Sequence, residues 1–403
     1  MTLPILRLHS LPFLCALVLC LPLFASPAFA EDAAPVATPE ATFEYKLTIT
    51  GAPDDDIKEL LESSSRLEQL IDTPPTSMAA LQRRADEDVE GFNKVLRAEG
   101  YYGNKITVDV DNSQKPIAVV YTIVPGALFR ITRFDVKYDG IGKLPTPPKP
   151  SEIGIKIGEP ARSQLILNAR RQILADLANT GFPDAKVADQ DIVVDFATTG
   201  MEAVLTIDMG PRLMMGQLSF EGLETVEENY LRRLAEWDPG VLYDSAKIDT
   251  IRRRYMRTGL FTSVRLKPRK TATNGEVVPV TLIFVERASR SVGVGASVST
   301  SDGFGTQSYW EHRNFFGEGE KVRVDLVVAE IRRGLRLAYT KPNYRKIDQN
   351  FNANIDLSHE NTDAYNEDSI STFVGLDRRW RKRWVLGIGA SLEYATIEDD
   401  GDT

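Results

Sequence analysis

The chain has 403 residues, 42% hydrophobic and 26% charged, the balance of an ordinary folded protein with room for several domains. Its formal net charge of −9 argues against general nucleic-acid binding. With two cysteines and three histidines in all, thiol chemistry and metal centres have little material to work with.

The first thirty residues hold a single charge, Arg7, then an apolar run from Leu11 to Phe24 and the motif Ala28-Phe29-Ala30 ahead of Glu31. This is the pattern of a secretory signal peptide over residues 1–30 with cleavage after Ala30, since the apolar core is short for a membrane span. Cys15 and Cys20 both lie inside it, each preceded by Leu rather than the small residue of a lipid-attachment site, so the processed chain would carry no thiol and a net charge of −10. No later stretch is apolar over the roughly eighteen residues that a membrane helix requires. Residues 31–43 are rich in Ala and Pro and read as a linker.

From 44 to 125 the pattern is strand, helix, helix, strand, strand. Tyr45, Leu47 and Ile49 alternate as a strand, and Asp54-Asp55-Asp56 opens a helix running to about Ser65. The acid triplet reads as a helix cap with favourable dipole charge rather than a cation site. A second helix from about Ser77 to Glu99 carries Ala85, Val89, Phe92 and Leu96 on one face, and strands follow at Ile106 to Val110 and Ile117 to Val124. The segment 126–211 opens with Phe134, Val136 and Tyr138 in alternation. Pro145, Pro147, Pro148 and Pro150 then exclude a helix and stand in place of the first one. Ile166, Ala169, Ile173 and Leu177 line the next helix, before strands near Asp191 to Phe196 and Ala203 to Met209. In 212–288, Leu218 and Phe220 begin a strand, helices follow at Glu227 to Ala235 and around Ile248, Ile251 and Tyr255, and strands run near Ser263 to Lys267 and Val278 to Glu286. Arg252-Arg253-Arg254 reads as a solvated helix face.

Each of the three segments has a helix that stops at Gly followed by an aromatic or apolar residue. The sites are Gly100, Gly181 and Gly259, which fall 81 and 78 residues apart. A near-constant period marks a tandem repeat of one small domain. Glycine closes a helix in the left-handed conformation, so each site reads as a C-cap, with the aromatic after it packing back on its own repeat.

From 289 to 403 the texture changes to segments of about ten residues with period-two alternation, a pattern that a soluble sandwich could also show; strand length, a polar inner face and the aromatics near strand ends favour an antiparallel membrane β-barrel. The first, Arg290 to Thr300, sets Val292, Val294, Ala296 and Val298 on one face and Gly293 and Gly295 on the other, where the glycines are expected to weaken local packing. Further segments run over Thr306–Arg313, Lys321–Ala329, Leu335–Tyr339, Asn350–Ser358, Ser369–Asp377 and Val385–Ile397. Tyr309, Trp310, Trp380 and Trp384 near strand ends resemble an interfacial aromatic girdle. Asp399 to Asp402 reads as an acidic loop rather than a calcium site.

Three such modules ahead of barrel strands resemble the polypeptide-transport-associated (POTRA) domains of the outer-membrane assembly superfamily. Pro74-Pro75-Thr76 to Gly100-Tyr101-Tyr102, and the run from Tyr309 to Glu320, are similar to the TamA group of that superfamily, and three modules suit it better than the five of the BamA group. The resemblance implies α+β repeats followed by an antiparallel transmembrane barrel, of which the seven segments make the N-terminal part against sixteen strands in the family. On that reading the sequence is truncated or partial. The resemblance also implies an outer-membrane location with the modules in the periplasm, an inner-membrane-anchored TamB-like partner, and a first barrel strand (Val292, Gly293, Val294, Gly295, Ala296) bordering a lateral seam.

The expected function is non-enzymatic and cofactor-free: β-augmentation of unfolded outer-membrane clients such as autotransporters, with barrel-seam templating. The histidines left after processing, His312 and His359, have no companions for catalysis or metal binding, no Gly-x-Ser-x-Gly elbow is present, and Gly317-Glu318-Gly319 reads as a tight turn. The run Arg378, Arg379, Trp380, Arg381, Lys382, Arg383, Trp384 falls at a periplasmic turn, where it either contacts outer-membrane lipid phosphates or serves solubility alone. The rival reading is a pore of the two-partner secretion kind. A soluble periplasmic scaffold is the third reading if the chain ends at Thr403.

Overall fold

The structure, a computed structural model, describes residues 42–399 apart from residues 270, 300–302, 363–364 and 382. The signal-peptide residues Ala28, Ala30 and Glu31, most of the 31–43 linker, Lys382 and the acidic loop beyond Asp399 lie outside the described residues. The first repeat comprises β1 (Tyr45–Thr50), α1 (Asp55–Ser64), α2 (Arg66–Gln69), α3 (Met78–Ala98), β2 (Lys105–Asp111) and β3 (Ile117–Val124). Its sheet runs β1-β3-β2, with β1 parallel and β2 antiparallel to the central β3. Asp54 starts α1 by accepting the Ile57 N–H at 2.8 Å, which gives the acid triplet its capping role. The extra helix α2 was not legible in the sequence. It is held by Asp88, a 2% exposed carboxylate on α3 that accepts from the Ser65 hydroxyl at 2.6 Å, the Arg66 N–H at 2.6 Å and the Tyr121 hydroxyl at 3.2 Å.

The second repeat comprises β4 (Arg130–Asp139), a 3₁₀ helix (Pro150–Ile153), α4 (Ser163–Asn179), β5 (Lys186–Asp195) and β6 (Gly200–Asp208). The prolines therefore do not exclude every helix: Pro150 takes the first position, where no amide donor is required. β5 also begins five residues ahead of the expected strand, at Lys186, with an irregularity between Val187 and Asp189. The third repeat comprises β7 (Met214–Glu221), α5 (Glu228–Ala235), α6 (Ser245–Arg257), β8 (Phe261–Leu266) and β9 (Val277–Glu286). Both later sheets repeat the first order, β4-β6-β5 and β7-β9-β8, and each repeat buries its own apolar cluster. The strict strand-helix-helix-strand-strand order holds only in the third. Of the basic triplet on α6, Arg254 reaches across to the Leu234 carbonyl and Glu236, tying α6 to α5 rather than merely facing solvent.

Gly100, Gly181 and Gly259 all end helices with positive φ, at 100°, 105° and 74°. In the first two turns the next residue bonds back across the helix end, Tyr101 N–H to Leu96 O at 2.8 Å and Phe182 N–H to Leu177 O at 2.9 Å. The same turns tie each repeat to the next stretch of chain. Gly100 O accepts from Phe129 N–H at 2.9 Å, Gly181 O from Leu213 N–H at 2.8 Å, and Leu260 O from Arg287 N–H at 2.7 Å. Tyr101, Phe182 and Phe261 pack on their own repeats, but Tyr102 does not. Its ring stands edge-on to Phe129 at 5.4 Å, and its side chain packs against the second core.

The C-terminal region is one antiparallel meander of seven strands: β10 (Arg290–Ser299), β11 (Gly303–His312), β12 (Lys321–Ala329), β13 (Arg332–Lys341), β14 (Gln349–Asn361), β15 (Tyr365–Trp380) and β16 (Trp384–Asp399). β10 and β16 are its edges and do not pair with each other, so the sheet is an unclosed part of a barrel. Gly181→Val is expected to destabilise the second repeat by at least about 1 kcal/mol, because a β-branched residue is strained at positive φ. A chemical denaturation midpoint equal to wild type would remove the cap role.

Candidate functional site

Registered pairing sorts the sheet into two chemically distinct faces. One row across all seven strands reads Val292, Trp310, Val324, Leu337, Ile355, Thr372 and Leu392, and the adjacent row reads Gly293, Tyr309, Asp325, Arg336, Asp356, Ser371 and Glu393. The apolar face is bare: Val294 is 85% exposed, Ile388 79% and Leu392 75%. A contiguous apolar face of this width needs a lipid or protein cover. On the polar face Arg323 forks onto Asp325 at 2.7 Å and Arg336 pairs with Asp356 at 3.4 Å. Trp310, Trp380 and Trp384 share the apolar face as a girdle would require. Tyr309 does not; it lies on the polar face, where the Arg323 guanidinium sits 4.2 Å from its ring centroid.

That ring also corrects the expected weakness at Gly293. A β-carbon on Gly293 would lie 2.2 Å from Tyr309 Cε1, so the glycine is the seat on which the ring packs. Gly295 faces the Gln307 side chain in the same way. The backbone polarity of β10 is fixed by one bond, Arg313 N–H to Ser289 O at 2.8 Å. Hydrogen-bonded pairs recur at every second residue of an antiparallel ladder. Ser291, Gly293 and Gly295 therefore bond to β11, while Val292, Val294 and Ala296 turn their N–H and C=O groups to the open edge.

The third repeat grips one end of this sheet. Glu286, the last residue of β9, accepts from the backbone N–H groups of Glu224, Thr225 and Val226 at 2.9 to 3.1 Å and from the Thr225 hydroxyl at 2.6 Å. Burial alone would raise its carboxyl, but these four donors outweigh burial and hold it below the ordinary glutamate range. The turn between β11 and β12 then docks on the loop so ordered. Asn314, 5% exposed, donates to Thr225 O at 2.9 Å and accepts from Gly319 N–H at 2.8 Å, and Glu227 N–H reaches Gly317 O at 2.8 Å. Glu318 bridges Lys341 at 2.7 Å and Arg233 of α5 at 2.6 Å, and these partners hold its carboxyl low. The turn between β13 and β14 adds Asn343, which donates to the Tyr230 hydroxyl at 3.0 Å. The resemblance covers the 309–320 run, Asn314 included, without giving Asn314 its docking role, and nothing in the sequence singles out Glu286 or Asn343. The one available signal was the density of Asn, Glu and Gly in turns whose strands are apolar.

This grip orients the sheet. The strand ends joined from β11 to β12, β13 to β14 and β15 to β16 lie at the end bearing the repeats, and those joined from β12 to β13 and β14 to β15 lie at the other. Of the basic aromatic run, Arg378 to Arg381, Arg383 and Trp384 fall at the repeat-bearing end, with Trp380 opposite Trp384 and Arg379 N–H bonded to Asp348 O at 3.0 Å. His359 pairs with Asp368 at 2.8 Å at the far end, and the described residues contain no cluster suited to a metal ion.

Residues 314–403 match the Omp85 superfamily domain, and residues 214–287 match the POTRA family, described as a surface antigen variable number repeat. The chain is 21% identical over 300 residues to the outer membrane protein assembly factor BamA of Buchnera aphidicola, covering 72% of this chain and 47% of that protein. It is 20% identical over 339 residues to a putative outer membrane protein assembly factor of Treponema pallidum, covering 80% of this chain and 40% of that protein. Among solved structures, BamA from Haemophilus ducreyi lacking POTRA domains 1-3 superposes with a TM-score of 0.58 at 19% identity over 67% of this chain and 52% of that one, a likeness of fold. The chain spans less than half the length of these two sequence relatives. An Omp85 domain behind POTRA repeats is the build of an outer-membrane protein with its repeats in the periplasm. None of these matches singles out the TamA group.

Asn314→Leu should leave the Thr225 carbonyl unpaired and loosen the junction by about 1–3 kcal/mol. Faster hydrogen exchange at Thr225 to Glu227 would register it, and unchanged exchange would refute it. The depressed Glu286 carboxyl stabilises the folded junction fully above the unfolded glutamate pKa of about 4.3, a contribution lost as pH falls through the lower folded value. Exchange at the same amides should therefore rise, after correction for intrinsic rates, only in that acid window.

Proposed function

We propose that this chain, with its Omp85 domain behind POTRA repeats, promotes insertion of β-barrel clients into the outer membrane by templating their strands. The observation that supports this reading is the register of β10, whose Val292, Val294 and Ala296 turn their backbone N–H and C=O groups away from β11 while the ladder to β11 stays complete. Backbone pairing is tolerant of client sequence, as a general assembly factor requires. The repeats offer further edges of the same kind in β2, β5 and β8, each bonded to a neighbour on one side. On the narrower reading drawn from the TamA resemblance, these edges receive a TamB-like partner anchored in the inner membrane, and autotransporters are among the clients.

The charged polar face, with Arg323, Asp325, Arg336 and Asp356 in line for an aqueous lumen, favours one rival: a two-partner-secretion pore. The two readings separate at β10. Val294→Pro removes a donor from the open edge and spares the bonds to β11, so it should lower client insertion about fivefold with barrel folding retained, whereas Val294→Thr should be mild. Undiminished insertion by Val294→Pro, together with altered single-channel conductance in Arg323→Ala, would transfer the assignment to the pore.

Orientation has its own check. Single cysteines at Glu367 and Arg381 should differ, with an impermeant thiol reagent on intact cells labelling the first and sparing the second. Equal labelling would contradict a membrane-spanning sheet with this polarity.

A further inference from the structure

We propose that the repeat-facing rim of the sheet binds the headgroup phosphate of an anionic phospholipid from the periplasmic leaflet, in a cleft between α5 and the turn joining β13 to β14. The proposal rests on the reading of the sheet as membrane-spanning with the repeats in the periplasm. The cleft has a volume of about 710 Å³ and is lined by Arg345, Lys346 and Arg378 together with Tyr344, Arg233 and Lys341.

Charge in the cleft is unbalanced. Its carboxylates are already engaged: Glu318 by Arg233 and Lys341, and Glu236 by Arg254 at 3.1 Å. Lys341 also holds Glu320 at 3.0 Å, behind the cleft. Arg345, Lys346 and Arg378 form no ion pair with any carboxylate among the described residues. Three unneutralised cations converging on one cleft call for an anion, and the guanidinium forks of Arg345 and Arg378 suit phosphate oxygens.

The turn that presents them is built rather than loose. Asn343, Arg345 and Asp348 all take positive φ, at 53°, 59° and 60°, an unusual density of left-handed residues other than glycine. The turn is pinned by Asn343 to the Tyr230 hydroxyl, by Asp348 N–H to Asn343 Oδ1 at 3.0 Å, and by Gln349 to Tyr344 O at 2.9 Å. Arg345 is laid over the Tyr344 ring, 5.3 Å from its centroid.

Position selects a lipid over a soluble anion. Arg378 shares the apolar face with Leu376 and Trp380, and its row, Gln349, Arg378 and Leu386, is the next on that face after Phe351, Leu376 and Ile388. Trp380 and Trp384, 60% and 66% exposed, come in the next row. Apolar residues, then tryptophan and arginine, mark the boundary where acyl chains give way to headgroups. A phosphate at Arg378 would leave its acyl chains along the bare Leu376–Ile388 surface.

The test uses the intact protein in nanodiscs of phosphatidylcholine doped with phosphatidylglycerol, with co-purifying lipid counted by mass spectrometry after detergent extraction. Wild type should retain phosphatidylglycerol in preference, and each cation removed in the series to Arg345→Gln/Lys346→Gln/Arg378→Gln should weaken retention about fivefold. Arg345→Lys/Arg378→Lys, which keeps the charge, and Arg332→Gln/Arg333→Gln, at the opposite end, should both retain it. Equal retention of the two lipids by wild type, or undiminished retention by the triple variant, would overturn the proposal and leave the membrane-spanning reading intact. Retention of neither lipid would overturn both. Displacement of phosphatidylglycerol by inorganic phosphate would make the cleft a soluble-anion site and would also overturn it.

Discussion

Glu286 and Asn314 hold the last repeat to one end of the strand meander, and the polarity of the whole molecule depends on that attachment. Four donors converge on the Glu286 carboxylate and order the loop at 224–226. Asn314 reads that loop from the sheet side. With this end fixed beside the repeats, the ends of successive strands alternate between the side away from the repeats and the side toward them. Burial makes the attachment selective, because an amide as enclosed as Asn314 costs free energy unless each of its bonds is made.

The sheet itself obeys a different constraint. Period-two alternation gives it one face that can meet hydrocarbon and one that cannot, and ion pairs such as Arg323 with Asp325 neutralise charge on the polar side. Aromatic rings complete that side by lying over glycines. Tyr309 covers Gly293, and the Phe373 ring would sit 2.6 Å from a β-carbon on either Gly375 or Gly389. Glycine in these strands is thus a packing position. The same seat under Tyr309 keeps β10 well ordered against β11.

Along the repeats, one turn serves two ends. The glycine that lets a helix stop also places a carbonyl where the next repeat can bond to it, so termination and linkage are a single structure at Gly100 and Gly181. The spacing between repeats is short for this reason, and Tyr102 can leave its own core for the next one.

Much of this was legible in the sequence. The repeat period, the cap glycines, the helix starting at Asp54 and the seven alternating segments are local features, set by backbone sterics, capping chemistry and side-chain alternation within a few residues. The tertiary structure alone decided what depends on partners distant in the chain. Asp88 looks like any surface acid on α3 until it is seen capping α2 from 22 residues away. Glu286 and Asn314 carry no periodic signal, because their bonds run to backbone groups about 60 and 89 residues distant. Which face Tyr309 takes, and which backbone groups of β10 point outward, are matters of register. Alternation in one strand cannot supply register; it takes the bonded neighbour to choose between two faces and two edges.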